Sequence, residues 1–504
     1  MKHDVVIIGG GLGGLLCGYM LCKEGLGAVI LEKNQRIGGC LQSFGRQGYA
    51  FDTGMHYVGS LDEGQLLYRF WKYFGLTDTI RLRKLDAEAF DTISIGGKRY
   101  ASAMGYEAYI HKLSHYFPAE REAIRKYVQT IQDLSVASPL SRLEESDGIA
   151  SLDEHYIRES VSGYIASLTG NPLLRSVLAG NQPLYGGLQD KTPFFIHGFI
   201  HNSYIQSAYR IVGGSQTIAD RLMQSIGEMG GQVLTGCEAE KLEGDRSGLT
   251  AVRCQDGRRF EADRFISAIH PQQLVKMIGE EAAKPSFIRR VNHLENTIGC
   301  FTLYLGFKKQ AEPYLNTNFF HYHTNDVWSC NEYTHRWPLG YLYMHQPPAD
   351  GGAYADCGVV ISYLRYEEVK TWASTRVGRR GEAYREFKHQ KAEQLLDALE
   401  SEFPGLRNRI AYYETSTPLT YRDYTGTTDG AMYGIRRDIH ISTSGITSAR
   451  TYIPNLFMTG QNTNSHGMLG VATGAMLTSM QIMGFKPIIR AVSRASESHS
   501  KTTK

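Results

Sequence analysis

The sequence lacks several features that would assign it to a specialised class of protein. It has no uninterrupted apolar run of about twenty residues, so we expect no membrane-spanning helix. Its eight cysteines form no C-x-x-C pair, which argues against a zinc site or a disulfide framework and favours reduced thiols in the cytoplasm. The formal net charge is only +3 and the basic residues form no long patch, so nothing indicates nucleic-acid binding. Met1 is followed by no signal-peptide pattern.

A glycine-rich segment close to Met1 carries the most information. A strand-length apolar run leads into Gly9, Gly11 and Gly14, which have G-x-G-x-x-G spacing and open a helical pattern. A second apolar run follows and ends at Glu32. Strand, glycine turn, helix, strand and acid in this order predict a dinucleotide-binding unit.

Each residue of this unit has a physical role in dinucleotide binding. Gly9 permits the tight turn, Gly11 lets a pyrophosphate approach the backbone, and Gly14 lets the helix pack closely on the strand. The N-terminus of the helix attracts the phosphates. Glu32 is placed to accept a hydrogen bond from a ribose hydroxyl.

Two further segments indicate that the dinucleotide is FAD. The doublet Gly38-Gly39 resembles the one that large flavoprotein oxidoreductases place against the FAD pyrophosphate, and residues 455–483 resemble their returning strand, turn and helix beneath the flavin ring. No second G-x-G-x-x-G unit is present, so NAD(P)H is expected only as a diffusible electron donor. The predicted cofactor-binding residues are Gly9, Gly11, Leu12, Gly13, Gly14, Glu32, Lys33, Gly38, Gly39, Val233, Gly460, Gln461, Gly470 and Val471.

The order of strand and helix patterns predicts an α/β protein with a Rossmann-like FAD-binding domain interleaved with an α+β substrate domain. The C-terminal segment is basic; we expect it to be flexible and either solvated or in contact with anionic lipid. The predicted boundaries are 1–90, 210–285 and 430–485 for the FAD-binding domain, 91–209 and 286–429 for the substrate domain, and 486–504 for the basic tail.

Several motifs together resemble the carotenoid desaturase, carotenoid isomerase and retinol saturase group of FAD enzymes, within the amine-oxidase-like superfamily. They are Glu32 with Gly38-Gly39-Cys40, residues 51–59, residues 194–215 and residues 456–474. The retinol saturase branch is the most similar. An arginine often follows the doublet in the wider superfamily, and Cys40 stands there instead, which weakens an amine oxidase assignment.

The resemblance implies redox chemistry at a carbon–carbon double bond of an apolar polyene or other isoprenoid. Saturation requires a hydride from the flavin at one carbon and a proton at its neighbour. The candidate proton donors are His56, followed by Tyr57 and His201, with Tyr204 and His466 also expected near the flavin. An external electron donor or acceptor is required, and peripheral contact with a membrane is plausible on substrate grounds.

We favour saturation, and four readings of the function stay open from the sequence. Desaturation and cis–trans isomerisation of a carotenoid use the same flavin geometry. A flavin amine oxidase is less favoured. A prenyl-binding protein of the GDP-dissociation-inhibitor type shares the superfamily fold without flavin, but the intact glycine motif argues against it.

Overall fold

The computed structural model describes residues 2–137, 139–145, 154–334, 336–441 and 448–497. Within these ranges the strands form two large sheets and two small ones. The strands are β1 (His3–Ile8), β2 (Ala28–Leu31), β3 (Ser43–Arg46), β4 (Tyr49–Asp52), β5 (Val58–Gly59), β6 (Leu82–Lys84), β7 (Asp91–Ile95), β8 (Lys98–Ser102), β9 (Ala208–Ile211), β10 (Gln232–Leu234), β11 (Ala239–Asp245), β12 (Gly248–Cys254), β13 (Arg259–Ser267), β14 (Gly299–Phe307), β15 (Asn318–Tyr322), β16 (Gly340–His345), β17 (Cys357–Leu364), β18 (Ile410–Ser416) and β19 (Leu456–Met458).

Helices cover the faces of both large sheets. They are α1 (Leu12–Lys23), α2 (Leu66–Tyr73), α3 (Tyr106–Tyr116), α4 (Arg121–Ser135), α5 (Pro139–Arg142), α6 (Glu154–Arg158), α7 (Val161–Leu168), α8 (Pro172–Ala179), α9 (Phe194–Gln206), α10 (Gln216–Glu228), α11 (Pro271–Met277), α12 (Pro285–Asn292), α13 (Glu382–Glu402), α14 (Leu406–Arg409), α15 (Pro418–Thr425), α16 (Gly467–Met483) and α17 (Phe485–Glu497).

The first large sheet is built around parallel strands in the order β10-β2-β1-β13-β19. Its central strands are apolar throughout because both faces are covered. Val5 and Ile7 pack in a core with α1, α10 and α16, whereas Val6 and Ile8 pack in a separate core with α11 and α12. The antiparallel hairpin β11–β12 extends the sheet from the first half of β13.

The second large sheet is mixed, in the order β18-β14-β17-β16-β15-β7-β8. Its strands come from residues 91–102 and 299–416, while the first sheet uses residues 3–31, 232–267 and 456–458. β7 and β15 run parallel with Asp91 opposite Asn318, and the neighbouring pairs are antiparallel. This architecture confirms the predicted α/β class; the domain boundaries themselves remain a prediction.

One part of the predicted tail is wrong. Residues 486–497 belong to α17, whose Ile488, Ile489 and Val492 are buried against the core that contains α2 and α16. These apolar residues lie on one face of the helix, and the basic side chains that suggested a flexible tail occupy the other face. Residues 498–504, with Lys501 and Lys504, lie outside the described residues.

None of the helices described above is both long and apolar enough to cross a membrane.

Replacing Ile489 with alanine tests whether α17 is part of the folded protein. Ile489 is 1% exposed, so Ile489→Ala should lower the free energy of unfolding by about 2–5 kcal/mol, measured by denaturant titration. Arg494→Ala on the exposed face of the same helix is the control and should change it by less than about 0.5 kcal/mol. Equal small effects would mean that α17 does not pack as described.

Candidate active site

The glycine turn between β1 and α1 has the geometry that its spacing predicts. Gly9 has a φ of +103°, in the region that favours glycine. A Cβ on Gly14 would lie 2.1 Å from the Gly9 carbonyl oxygen, so only glycine lets α1 approach the strand this closely. A Cβ on Gly11 would meet no atom within 4 Å, because it would project into an open cleft.

The carboxylate of Glu32 is held at the edge of this cleft. Its Oε2 accepts a hydrogen bond from the Gly10 N–H at 2.8 Å, and its Oε1 accepts from the Asn34 N–H at 2.8 Å. Both contacts fix the side chain while leaving lone pairs on each oxygen. Glu32 can therefore accept hydrogen bonds from the hydroxyl groups of a ribose in the cleft.

The returning C-terminal segment closes the other side of the cleft. β19 pairs in parallel with β13, and a Cβ on Gly13 would lie only 2.9 Å from the Cα of Gly460. The Gly38 N–H donates to the Gly10 carbonyl at 2.8 Å, so the doublet is also joined to the glycine turn. Backbone from three distant parts of the sequence thus surrounds one space.

This cleft has a volume of about 410 Å³. α1 and α16 both begin beside it, at Leu12 and Gly467, and neither has a side-chain cap or an acidic residue in its first turn. Unpaired N–H groups at two helix N-termini are suited to phosphate and other electron-rich groups. The predicted residues that line the cleft are Gly9, Gly11, Leu12, Gly13, Glu32, Lys33, Gly38, Gly39, Gly460, Gln461 and Val471.

Three predicted cofactor-binding residues do not line the cleft. Gly14 and Gly470 are packing positions, since a Cβ on Gly470 would lie 2.7 Å from Ser465. Val233 is half-buried and packs against the core of the first sheet. The cleft is lined instead by residues that follow β10, namely Cys237, Glu238, Ala239 and Glu240.

The sequence did carry a signal for these missed residues. They follow the carboxyl end of β10 just as Glu32 follows the neighbouring parallel strand β2, and parallel strands bring such ends to one edge of the sheet. The Cys237 N–H donates to the Glu32 carbonyl at 2.8 Å, which joins the two segments.

A second cavity of about 130 Å³ lies against the cleft. It is lined largely by aromatic, methionine and aliphatic side chains from the second sheet and from the loops that face it. Its tyrosines are Tyr57, Tyr204, Tyr322, Tyr341, Tyr363, Tyr421 and Tyr433. The residues that line both spaces are Cys40, Gly54, Met55, Met432, Tyr433, Gly467 and Met468. A group in the cleft and a group in the cavity therefore share one wall.

His56 lines the cavity directly beside that wall. The residue as a whole is half-buried, but both ring nitrogens are buried and neither has a hydrogen-bond partner among the described residues. Burial lowers the pKa of His56 to about 4, against a smaller raising effect of Asp52. The ring is therefore neutral at neutral pH, with one donor and one acceptor available to a bound molecule.

Tyr57 also lines the cavity and is 6% exposed. Its ring contacts that of Tyr204 with a centroid distance of 4.4 Å. Its hydroxyl lies 3.4 Å from Oδ2 of the buried Asp91. Burial, with Asp91 nearby, raises the pKa of Tyr57 well above its usual value, so the hydroxyl keeps its proton.

His201, in contrast, lines neither space. Its Nδ1 lies 2.5 Å from the Tyr127 hydroxyl, which also contacts Nε2 of His197 at 2.5 Å. His197 and His201 are four residues apart and face α4, whereas Tyr204 on the same helix faces the cavity. The structure thus gives no support to His201 as a proton donor and places it in a buried structural network.

His466 is the residue directly before α16, its side chain makes no capping hydrogen bond, and it also lines neither space. Its ring packs on Tyr433 with a centroid distance of 4.5 Å. His466 therefore packs against Tyr433, one of the residues of the shared wall.

Comparison with known proteins identifies the family. The model of the flavin containing amine oxidoreductases matches residues 12–353, more than half of the chain. The protein belongs to this family. Its cofactor is accordingly a flavin, and the resemblance drawn from the motifs is confirmed.

Individual proteins are similar over almost the full length. The human all-trans-retinol 13,14-reductase is 26% identical over 96% of this chain and 86% of its own. The chloroplastic prolycopene isomerase 1 of an Oncidium hybrid is 22% identical over 95% and 84%. The crystal structure of an oxidoreductase from Methanosarcina mazei matches with a TM-score of 0.64 and 17% identity, covering 94% and 99%, which supports the fold.

Filling the space in front of Gly11 should abolish flavin binding without unfolding the protein. Gly11 has a φ of −74°, so Gly11→Val introduces no backbone strain but places its side chain in the cleft. We expect purified Gly11→Val to lose visible flavin absorbance while its far-ultraviolet circular dichroism is unchanged. Gly227→Val, on the exposed surface of α10, is the control and should retain flavin. Stoichiometric flavin in Gly11→Val would contradict this assignment of the cleft.

Two histidine substitutions should have opposite effects. His56→Leu removes nitrogens that have no partner, so the free energy of unfolding should be unchanged or higher while substrate turnover falls. His201→Leu removes the contact with Tyr127 and should lower the free energy of unfolding by about 1 kcal/mol, while turnover is retained. Denaturant titration and single-turnover kinetics on both variants measure this. Loss of turnover in His201→Leu alone would reverse the two roles.

Proposed function

We propose that this protein is an FAD-dependent oxidoreductase that saturates a carbon–carbon double bond of a retinoid, carotenoid or other isoprenoid. The observation that carries the proposal is the wall shared by the cleft at the glycine turn and a cavity rich in tyrosine and methionine. A cofactor in the cleft would present its reactive part to a molecule in the cavity.

FAD fits the donor set of the cleft. The ribose next to the adenine would bind Glu32, and the pyrophosphate would lie in front of Gly11 and the first turn of α1. The N-terminus of α16 at the shared wall would stabilise negative charge on the reduced ring. When bound and reduced, the flavin supplies the hydride.

The cavity favours an apolar, conjugated substrate. Its aromatic and methionine side chains offer a large contact surface, and the hydroxyl groups of six of its seven tyrosines have a hydrogen-bond partner within the protein. The reductase and the isomerase named above carry retinol and prolycopene in their names, and both compounds are conjugated polyenes. Conjugation makes a double bond a better hydride acceptor, since the developing charge is spread over several carbons.

Tyr57 and His56 would have different roles, proton donation and substrate binding. Because His56 is neutral, it would hold a bound molecule by hydrogen bonding and not act as a strong acid. Tyr57 keeps its proton at neutral pH and would donate it to the carbon next to the one that receives the hydride, with the buried Asp91 as its hydrogen-bond partner. Tyr57 and the ring nitrogens of His56 are buried, which limits the access of water to these groups.

The electrons must come from an external reductant, since no second nucleotide motif is present in the sequence. Reduced nicotinamide, a quinol or a ferredoxin-like carrier would each serve. We place the protein in the cytoplasm, with peripheral membrane contact for loading a lipid-soluble substrate.

Desaturation and isomerisation are the alternative outcomes, because they use the same flavin geometry and the isomerase relative is similar over most of the chain. An amine oxidase or a flavin-free prenyl-binding protein has less support, because the cofactor motif is intact and Cys40 replaces the usual arginine.

Anaerobic single turnover tests the function directly. Photoreduced holoprotein is mixed separately with retinol, phytoene and lycopene, and flavin absorbance is followed while the products are analysed by mass spectrometry. We expect flavin reoxidation together with a product that has gained two hydrogens.

Each other outcome is informative. A product of unchanged mass would establish an isomerase. Oxidised holoprotein that becomes reduced by the polyene would establish a desaturase. Turnover of primary amines with release of peroxide would establish an amine oxidase, and protein purified without flavin would rule out all of these activities.

A further inference from the structure

A buried carboxyl group lies behind Tyr57. Asp91 begins β7, has no exposed surface and lines neither the cleft nor the cavity. Its Oδ1 accepts a hydrogen bond from Asn318 Nδ2 at 2.8 Å, and its Oδ2 accepts one from Asn181 Nδ2 at 2.5 Å. Within the described part of the chain, its third side-chain hydrogen-bond partner is Tyr57, whose hydroxyl lies 3.4 Å from Oδ2.

Among the residues that the structure describes, no cation forms an ion pair with Asp91. The positive charge that acts on it is the fully buried Arg210, whose Nη2 donates to Asn318 Oδ1 at 2.8 Å. The same Nη2 also donates to the main-chain carbonyl of Thr317 at 2.8 Å, and Nη1 donates to the main-chain carbonyls of Leu315 and His345. Arg210 therefore orients Asn318, and Asn318 in turn orients Asp91, but the carboxyl group gains no ion pair.

A carboxyl group in such a place is costly to ionise. Burial raises the pKa of Asp91 to about 7, although the hydrogen bonds from Asn318, Tyr57 and Asn181 and the charge of Arg210 act to lower it. The titratable or charged groups that face it are Tyr57, Tyr109, Tyr204 and Arg210. Only Asp91 among these changes its charge near neutral pH.

We propose that Asp91 is a positioning residue that orients the Tyr57 hydroxyl towards the substrate and restores its proton during the reduction. This inference rests on the proposed function. The Tyr57 O–H proton passes to the substrate carbon next to the hydride acceptor, and the carboxyl proton of Asp91 passes to the Tyr57 oxygen. Asp91 is left as a carboxylate and regains a proton from solvent before the next turnover.

The charge of Asp91 decides the direction of the Tyr57 hydrogen. When Asp91 is protonated, its O–H donates to the Tyr57 oxygen, and the tyrosine hydrogen is free to point into the cavity. When Asp91 is ionised, Tyr57 donates to the carboxylate and its proton points away from the substrate. Proton delivery should therefore be fast below the pKa of Asp91 and be lost as the pH rises through it.

The test is the rate of anaerobic single turnover with photoreduced holoprotein and retinol, measured as a function of pH. The range, from about pH 5.5 to about 9, covers the titration of Asp91. We expect the wild-type rate to fall above a midpoint near the pKa of Asp91. Tyr57→Phe and Asp91→Asn should each slow the reaction by about 100-fold, within the range for loss of a general acid, and should abolish the pH midpoint. Their effects should not add in the double variant.

Matched controls separate this role from packing. Tyr109→Phe removes another buried hydroxyl that faces Asp91 but lines neither space, and Glu312→Gln removes another buried carboxyl group. Both should keep the midpoint. Flavin content and retinol binding, followed by the quenching of protein fluorescence, should be unchanged in Tyr57→Phe and Asp91→Asn.

An infrared pH titration gives a readout that is independent of turnover. The C=O stretch of a protonated carboxyl group should disappear in the wild type as the pH rises through the pKa of Asp91, and should be missing in Asp91→Asn and retained in Tyr57→Phe.

The possible failures can be told apart. If wild-type protein reduces no polyene, the proposed function fails. If it does, and Tyr57→Phe keeps the same midpoint and rate, the inference about Asp91 and Tyr57 is wrong. Tyr57→Phe decides the question even if Asp91→Asn does not fold.

Discussion

The close contact between the returning C-terminal segment and the glycine turn is the constraint on which the site depends. A side chain at Gly13 would collide with Gly460, and the Thr459 N–H donates to the Ser267 carbonyl at 2.9 Å. This contact brings the start of α16 beside the start of α1, although the two helices are separated by more than four hundred residues. Without this contact the cleft would be open on one side, and the cleft and the cavity would not share a wall.

The shared wall separates a polar environment in the cleft from a largely apolar one in the cavity. On one side, backbone N–H groups and Glu32 provide polar contacts for a dinucleotide. On the other side, aromatic and methionine side chains leave few groups that could compete for a proton, and His56 is neutral there. Tyr57, with the buried Asp91 as its hydrogen-bond partner, can then supply a proton at a defined place in the cavity.

The predictable parts of this protein were those with local signals. Glycine spacing, apolar runs and the acid at Glu32 each depend on a few neighbouring residues, so the first sheet and most of the cleft followed from them. Asp91 gave no signal, since its partners Asn181 and Asn318 lie far along the chain and only the parallel pairing of β7 with β15 brings them together. The sequence also could not show that His201 faces Tyr127, because its position in a motif says nothing about which face of α9 it occupies.

The central claim is that a flavin in the cleft meets a polyene in the cavity across this wall, and a crystal structure of the holoprotein with an unreactive retinoid analogue tests it most directly. We expect density for the flavin ring beside Cys40, Met55 and Tyr433, and density for the analogue among the cavity tyrosines. Density for the analogue at any other place on the protein, with the cavity filled by side chains or water, would contradict it.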